Sequence, residues 1–191
     1  MNYIKTTIPG VWIIEPKVFN DARGYFFESF KQSEFQKSIG RVEFIQENES
    51  CSSQGTLRGL HYQLMPFSQA KLVRVIAGCV LDVAVDLREG SPAFGQHVAV
   101  KLSSENKRQL FIPQGFAHGF HVLSEQAVFT YKVDNPYNPA LERSLRYNDP
   151  AFGIDWEIPS GTLPILSEKD KQAPVLSEGE LNFIYNLNSI L

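Results

Sequence analysis

The stretch Thr56-Leu57-Arg58-Gly59-Leu60-His61-Tyr62-Gln63 reads as a β-strand that carries chemistry. Side chains alternate faces along a strand, so His61 and Gln63 point one way and Leu60 and Tyr62 the other. Gly59 lets another backbone, or a ligand, come close. Arginine, histidine and glutamine aimed into a space with apolar walls mark a site rather than a solvated surface. Strand signals continue on both sides. Residues 11–16 form a short strand stopped by Pro16, and 21–24 are turn chemistry. Residues 25–30 read as an aromatic strand with Phe26 and Glu28 on one face. Residues 42–48 alternate, with Gln46 and Asn48 beside Phe44, and further strands are expected over 71–76, 79–87, 94–102, 108–112 and 127–133. The 79–87 run is apolar enough to be buried on both faces. Ser33-Glu34-Phe35-Gln36 predicts a capped helix ending near Gly40. Beyond Asn135, prolines at 136, 139, 150, 159 and 164 exclude long elements. Capping signals at Ser167-Glu168-Lys169-Asp170 and Ser177-Glu178-Gly179-Glu180 predict short terminal helices. Many short strands between turns predict an all-β jelly roll with short helices near the N-terminus and at the C-terminus.

A chain of 191 residues fits one domain, 1–191, with a sizeable core. The net charge of −3, without a basic run, disfavours nucleic acid as a partner. Apolar runs are too short to span a bilayer, and residues 1–10 lack the apolar core of a signal peptide. Cys51 and Cys79 form no disulfide framework and read as small buried or half-buried residues of a cytoplasmic protein.

Inward polar positions supply the candidates: Gln46, Asn48, His61, Gln63, Lys71, His118 and Tyr131. Each alone has an ordinary reading, as a satisfied core histidine, a snorkelling lysine or a rim tyrosine. Together they imply a ligand, because uncompensated polar burial is costly. A β-barrel metal site commonly pairs two histidines one residue apart, and here Gln63 stands where the second would be. His118 and His121, three apart, face opposite ways on a straight strand. Without a metal, histidine does general acid–base work and needs an orienting carboxylate. Asp82, Asp86 and Asp170 are open candidates, Asp170 also having a capping role. Lys71 suits oxyanion stabilisation and Tyr131 proton donation. Arg23 and Arg58 suit phosphate oxygens, although a surface ion pair is the ordinary reading for Arg23.

Arg58-Gly59-Leu60-His61-Tyr62-Gln63, Ala70-Lys71-Leu72-Val73-Arg74, Asp82-Val83-Ala84-Val85-Asp86 and Ile112-Pro113-Gln114-Gly115-Phe116-Ala117-His118-Gly119-Phe120 resemble the dTDP-4-dehydrorhamnose 3,5-epimerase family of cupins. The resemblance runs from about residue 5 to about 176 and includes 164–170. It implies a cupin jelly roll (double-stranded β-helix), a homodimer with strand exchange, and no cofactor or metal. It implies His61 as base, Asp170 as its orienter, Lys71 beside the enolate oxygen and Tyr131 as acid from the opposite face. Arg23, Arg58 and Lys169 resemble diphosphate contacts. Phe26, Glu28, Gln46 and Asn48 resemble a strand lining the partner's pocket. His118 would contact the sugar, Tyr137 the base and Glu142 the nucleotide end. The substrate implied is a dTDP-4-keto-6-deoxy sugar. Inversion at a single centre, or binding without turnover, are the alternative readings.

Overall fold

The computed structural model of the chain describes residues 1–186. The last five residues of the expected unit 1–191 lie outside the described residues. In chain order the elements are β1 (Asn2–Lys5), β2 (Trp12–Glu15), β3 (Phe19–Asp21), β4 (Gly24–Phe26), α1 (Gln32–Ser38), β5 (Gln46–Ser53), β6 (Leu57–Gln63) and β7 (Lys71–Ala77). They continue with β8 (Cys79–Asp86), β9 (His97–Ser103), β10 (Gln109–Ile112), β11 (Phe116–Val122), β12 (Gln126–Val133), β13 (Glu142–Ser144), α2 (Glu168–Lys171) and a 3-10 turn at Leu176–Glu178. Two antiparallel sheets dominate, ordered β1-β2-β10-β7-β12-β5 and β13-β6-β11-β8-β9. The β3–β4 hairpin stands apart from both. No helix of the described residues is long and apolar enough to cross a membrane.

The period-two pattern assigns each strand two jobs. On β7, Val73 and Val75 enter the layer between the sheets, while Leu72 faces the outer side. On β8, Val80 and Ala84 face the inter-sheet layer, and Leu81, Val83 and Val85 face the opposite layer, as its uniform apolarity predicts. Residues from the proline-rich C-terminal segment, including Leu145, Phe152, Trp156 and Phe183, cover that opposite face. Around α1, Phe35 packs against Phe30, Phe44 and Phe111 and closes the outer face of the six-stranded sheet.

Several boundaries differ from the sequence reading. β4 ends at Phe26, and residues 27–31 leave the hairpin for the α1 layer, where Phe30 is packed. The N-cap of α1 is Lys31, without a side-chain cap, so Ser33 lies inside the helix. Gln32 instead ties α1 to the Val42 carbonyl at 2.8 Å. β5 starts at Gln46, because Val42 and Phe44 pack into the α1 layer. β9 starts at His97, after a turn in which Gly95 N–H reaches the Asp86 carbonyl. The second C-terminal helix is one 3-10 turn capped by Val175, not by Ser177. Cys51 is exposed rather than buried, on an edge strand that pairs, among the described residues, only with β12.

Where His61 lies, β6 is not a plain strand. Against β11, His61 pairs with His118 and Arg58 with Phe120. Three steps on β6 therefore match two on β11, so β6 carries one extra residue at 59–60. The extra residue returns Arg58 to the same face as His61, which simple alternation forbids. Gly59 has φ +129°, and a Cβ there would lie 2.5 Å from Gly119 Cα. The two glycines let β6 and β11 pass at a separation that no side chain fits.

Candidate active site

Directly opposed residues of an antiparallel pair share a face, so His61 points where His118 points. His118 stacks on Phe129, from the other sheet, which fixes that face as the inter-sheet one. Lys71 opens β7 on the same parity as Val73, and its ammonium lies 5.9 Å from the Tyr131 ring. Asn48, Tyr131 and Val73 form one row across β5, β12 and β7, and Gln46, Val133 and Lys71 form the next. Histidines from the five-stranded sheet thus face lysine, tyrosine and amides from the six-stranded one.

Asp170 resolves the choice of orienting carboxylate. Its Oδ1 lies 2.5 Å from His61 Nε2, although 109 residues separate them in sequence. Its Oδ2 accepts from the Ser167 hydroxyl at 2.8 Å, and that hydroxyl accepts from the Asp170 backbone N–H to cap α2. Asp170 serves both the helix start and the histidine. Burial works to raise its pKa, but His61, Ser167 and the Gly59 N–H outweigh burial and hold it below the usual carboxylate value. Asp82 instead pairs with His118, Oδ2 to Nε2 at 2.9 Å. Asp86 is spent on Arg88 and Ser91.

Burial lowers the pKa of Lys71 to about 8, against the pull of Asp82 and Glu142. Burial raises that of Tyr131, opposed by a hydrogen bond with Asn48 and the charge of Arg58. The His118 pKa is lowered by burial, with Asp82 pulling the other way. A charged lysine, a protonated tyrosine and a carboxylate-bound imidazole around one space can remove a proton beside a carbonyl, hold the resulting oxyanion and return a proton.

These elements match a known arrangement along most of the chain. Residues 5–178 fit the family model described as dTDP-4-dehydrorhamnose 3,5-epimerase. The chain belongs to that family. It is 56% identical to the dTDP-4-dehydrorhamnose 3,5-epimerase of Salmonella typhimurium over 182 residues, 95% of this chain and 98% of the relative. The crystal structure of a dTDP-6-deoxy-D-glucose-3,5-epimerase from Legionella pneumophila, in complex with dTDP-4-keto-L-rhamnose, superposes with a TM-score of 0.92. That pair is 49% identical, over 97% of this chain and 98% of the other. A 3′-monoepimerase from Streptomyces bikiniensis in complex with dTDP-quinovose is also similar, with a TM-score of 0.84 and 35% identity over 91% and 87% of the two chains.

Of the epimerase residues expected from sequence, the fold brings together His61, Asp170, Lys71, Tyr131, His118, Asn48, Gln46 and Arg58. Glu142 accepts from the Tyr137 hydroxyl at 2.8 Å and pairs with Lys169 at 2.7 Å, so these three form one polar group, whose carboxylate also acts on Lys71 and Tyr131. Glu142 sits opposite Gln63 on β6, one edge away from His61. Arg23, Phe26 and Glu28 do not join the site within this chain. Arg23 is 90% exposed in its side chain and, among the described residues, pairs only with Asp21, the ordinary surface ion pair. Tyr25 of the same hairpin lies under Lys107, 3.9 Å from its ammonium, beyond β9. Gln63 is no ligand group either. Its amide donates to the Phe67 and Pro136 carbonyls and accepts from Asn138 N–H, which anchors the 135–138 loop.

Sequence reasoning missed Ser52 as a support and read Ser167 only as the cap of α2. Ser52 receives Arg58 Nε at 3.0 Å, and Ser167 steadies Asp170. Strand alternation places Ser52 on the β5 face of Gln46 and Asn48, but every residue of β5 except Cys51 is polar, so no pattern singles it out. Among the described residues no group of three His, Cys, Asp or Glu side chains is arranged to hold a metal ion.

Proposed function

We propose that the chain epimerises dTDP-4-dehydro-6-deoxy-D-glucose at C3 and C5 to dTDP-4-dehydro-L-rhamnose, a step of dTDP-L-rhamnose biosynthesis in the cytoplasm. The observation that carries this reading is the division of labour between sheets. His61 comes from one sheet, and Lys71 and Tyr131 from the other. A sugar ring slotted between them meets a base on one face and an acid on the opposite face, which is what inversion requires.

His61, its Nε2 on Asp170, takes the proton next to the C4 ketone through its other nitrogen. The electron pair moves into an enolate, and the Lys71 ammonium offsets the charge on oxygen. Tyr131 then delivers a proton from the other side, and the cycle repeats at the second carbon. Proton transfer beside a ketone calls for neither a redox cofactor nor a metal. Arg58 and Lys169 are suited to the diphosphate, and Tyr137 and Glu142 to the nucleoside end. His118, Gln46 and Asn48 are suited to the sugar.

The exposed hairpin supports a second part of the reading. Phe19, Tyr25 and Phe26 are all exposed, and β5 leaves a pairing edge open. We infer a homodimer in which Arg23, Phe26 and Glu28 enter the partner subunit's pocket. Mixing inactive Arg23→Ala with inactive His61→Ala should then restore activity in mixed dimers; no recovery, with subunits shown to exchange, contradicts the crossing.

The test of the reaction is NMR of the substrate in heavy water with purified protein. Deuterium at both C3 and C5 with formation of the L-configured product is expected. Deuterium at one carbon only would make the chain a single-centre enzyme, and none at either would overturn the reading.

A further inference from the structure

Beneath Lys71 and His118 lies a carboxylate with no role in the reaction described above. Asp82 shares the inward face of β8 with Val80 and Ala84 and is 0% exposed. Its Oδ2 holds His118. Its Oδ1 is the only buried side-chain nitrogen or oxygen among the described residues without a hydrogen-bond partner. A buried oxygen left without a donor is costly, by ~1–3 kcal/mol or more, and such exceptions call for an explanation. Two further atoms of the pocket are also unengaged among the described residues. Lys71 Nζ forms no hydrogen bond or salt bridge there, yet Asp82 is the strongest opposite charge acting on it. His118 Nδ1 has no partner there and is not sealed from solvent.

We propose that Asp82 is a positioning residue for the epimerase reaction: Oδ2 fixes His118 with Nδ1 as an acceptor for a sugar hydroxyl, and Oδ1 supplies the counter-charge that keeps the Lys71 ammonium facing the enolate oxygen. The sugar-facing half of this inference rests on the proposed function. Because Nε2–H donates to the carboxylate, a neutral His118 offers only a lone pair at Nδ1. It therefore binds the hydroxyl beside the reacting carbon as that group's acceptor. Burial alone favours loss of the Lys71 proton, and a neutral amine gives an enolate no charge to rest on. Asp82 on β8 and Glu142 on β13 oppose that loss, and Tyr131 on β12 presents its ring. His118 on β11 lies under the combined influence of Asp82, Lys71 and His61.

Two measurements on ligand-free protein test this without reference to substrate. Nitrogen-15 NMR of the wild type should find the His118 proton on Nε2 and a bare Nδ1; a proton on Nδ1 instead overturns the proposal even if no variant folds. NMR titration of the Lys71 side chain should move to lower pH in Asp82→Asn than in the wild type, and an unmoved titration overturns the counter-charge. With substrate, Asp82→Asn should lose about tenfold more kcat at pH 9 than at pH 6.5. A loss equal at both pH values is the mark of a merely structural residue and contradicts the proposal. Should the wild type show no exchange at all, the reaction reading fails while the two ligand-free results still decide the role of Asp82 in the pocket.

Discussion

Two carboxylate–imidazole pairs face the same inter-sheet space, one at His61–Asp170 and one at His118–Asp82, and they are built differently. Asp170 comes from a helix start 109 residues away from its histidine, and Ser167 serves its second oxygen. Its histidine is about one-third exposed, so it can meet a substrate and exchange its proton. Asp82 comes from the strand beside its histidine, is sealed, and has one oxygen unserved. The first pair is suited to moving a proton, the second to holding a tautomer and a charge. Chemical identity of a pair therefore does not fix its role; access and the remaining hydrogen bonds do.

The sharpest break of that contrast is removal of the mobile base. His61→Ala should lower deuterium exchange at both carbons by about 10³–10⁴-fold. Exchange within tenfold of wild type means the base lies elsewhere, with His118 the first suspect. Asp170→Asn leaves His61 in place but costs it its charge partner and tautomer, so kcat should fall about 10²-fold or more. Circular dichroism should show the fold unchanged, since the amide that replaces the carboxylate still has Ser167 beside it. An unchanged kcat would remove the orienting role.

The bulge that lets Arg58 and His61 share a face makes a stability claim as well. Gly59→Ala places a methyl 2.5 Å from Gly119 Cα and 2.9 Å from the His118 carbonyl, at φ +129°. Denaturant unfolding should show a loss of about 2–4 kcal/mol. A loss below about 0.5 kcal/mol would mean that the two strands separate readily at this point.

Gly59 also shows where sequence reading reaches its limit. The sheet class and most strands were legible, because short apolar runs such as 71–76 and 79–87 are bounded by turn residues. The 59–60 bulge was not, since alternation assumes an unbroken strand and only the register against β11 reveals the extra residue. Helix starts misled where a capping residue was locally suitable but tertiary packing ruled: Phe35 sets α1, and Ser33 caps nothing. The polar candidates His61, Lys71, His118 and Tyr131 were visible as inward positions. Their carboxylate partners were not assignable from spacing, because Asp82, Asp86 and Asp170 look alike until the fold brings each to a different basic side chain. Arg23, Phe26 and Glu28 owe their assignment to family resemblance alone, and within one chain they stay apart from the pocket.

The central claim is that base and acid approach from opposite sheets. Tyr131→Phe in heavy water tests it most directly. Removing the phenol should leave deuterium exchange within about tenfold of wild type while inversion falls by about 10²-fold, the label entering with retained configuration from the His61 side. Inversion at the wild-type rate would contradict the account, since the second proton would then come from a group other than Tyr131.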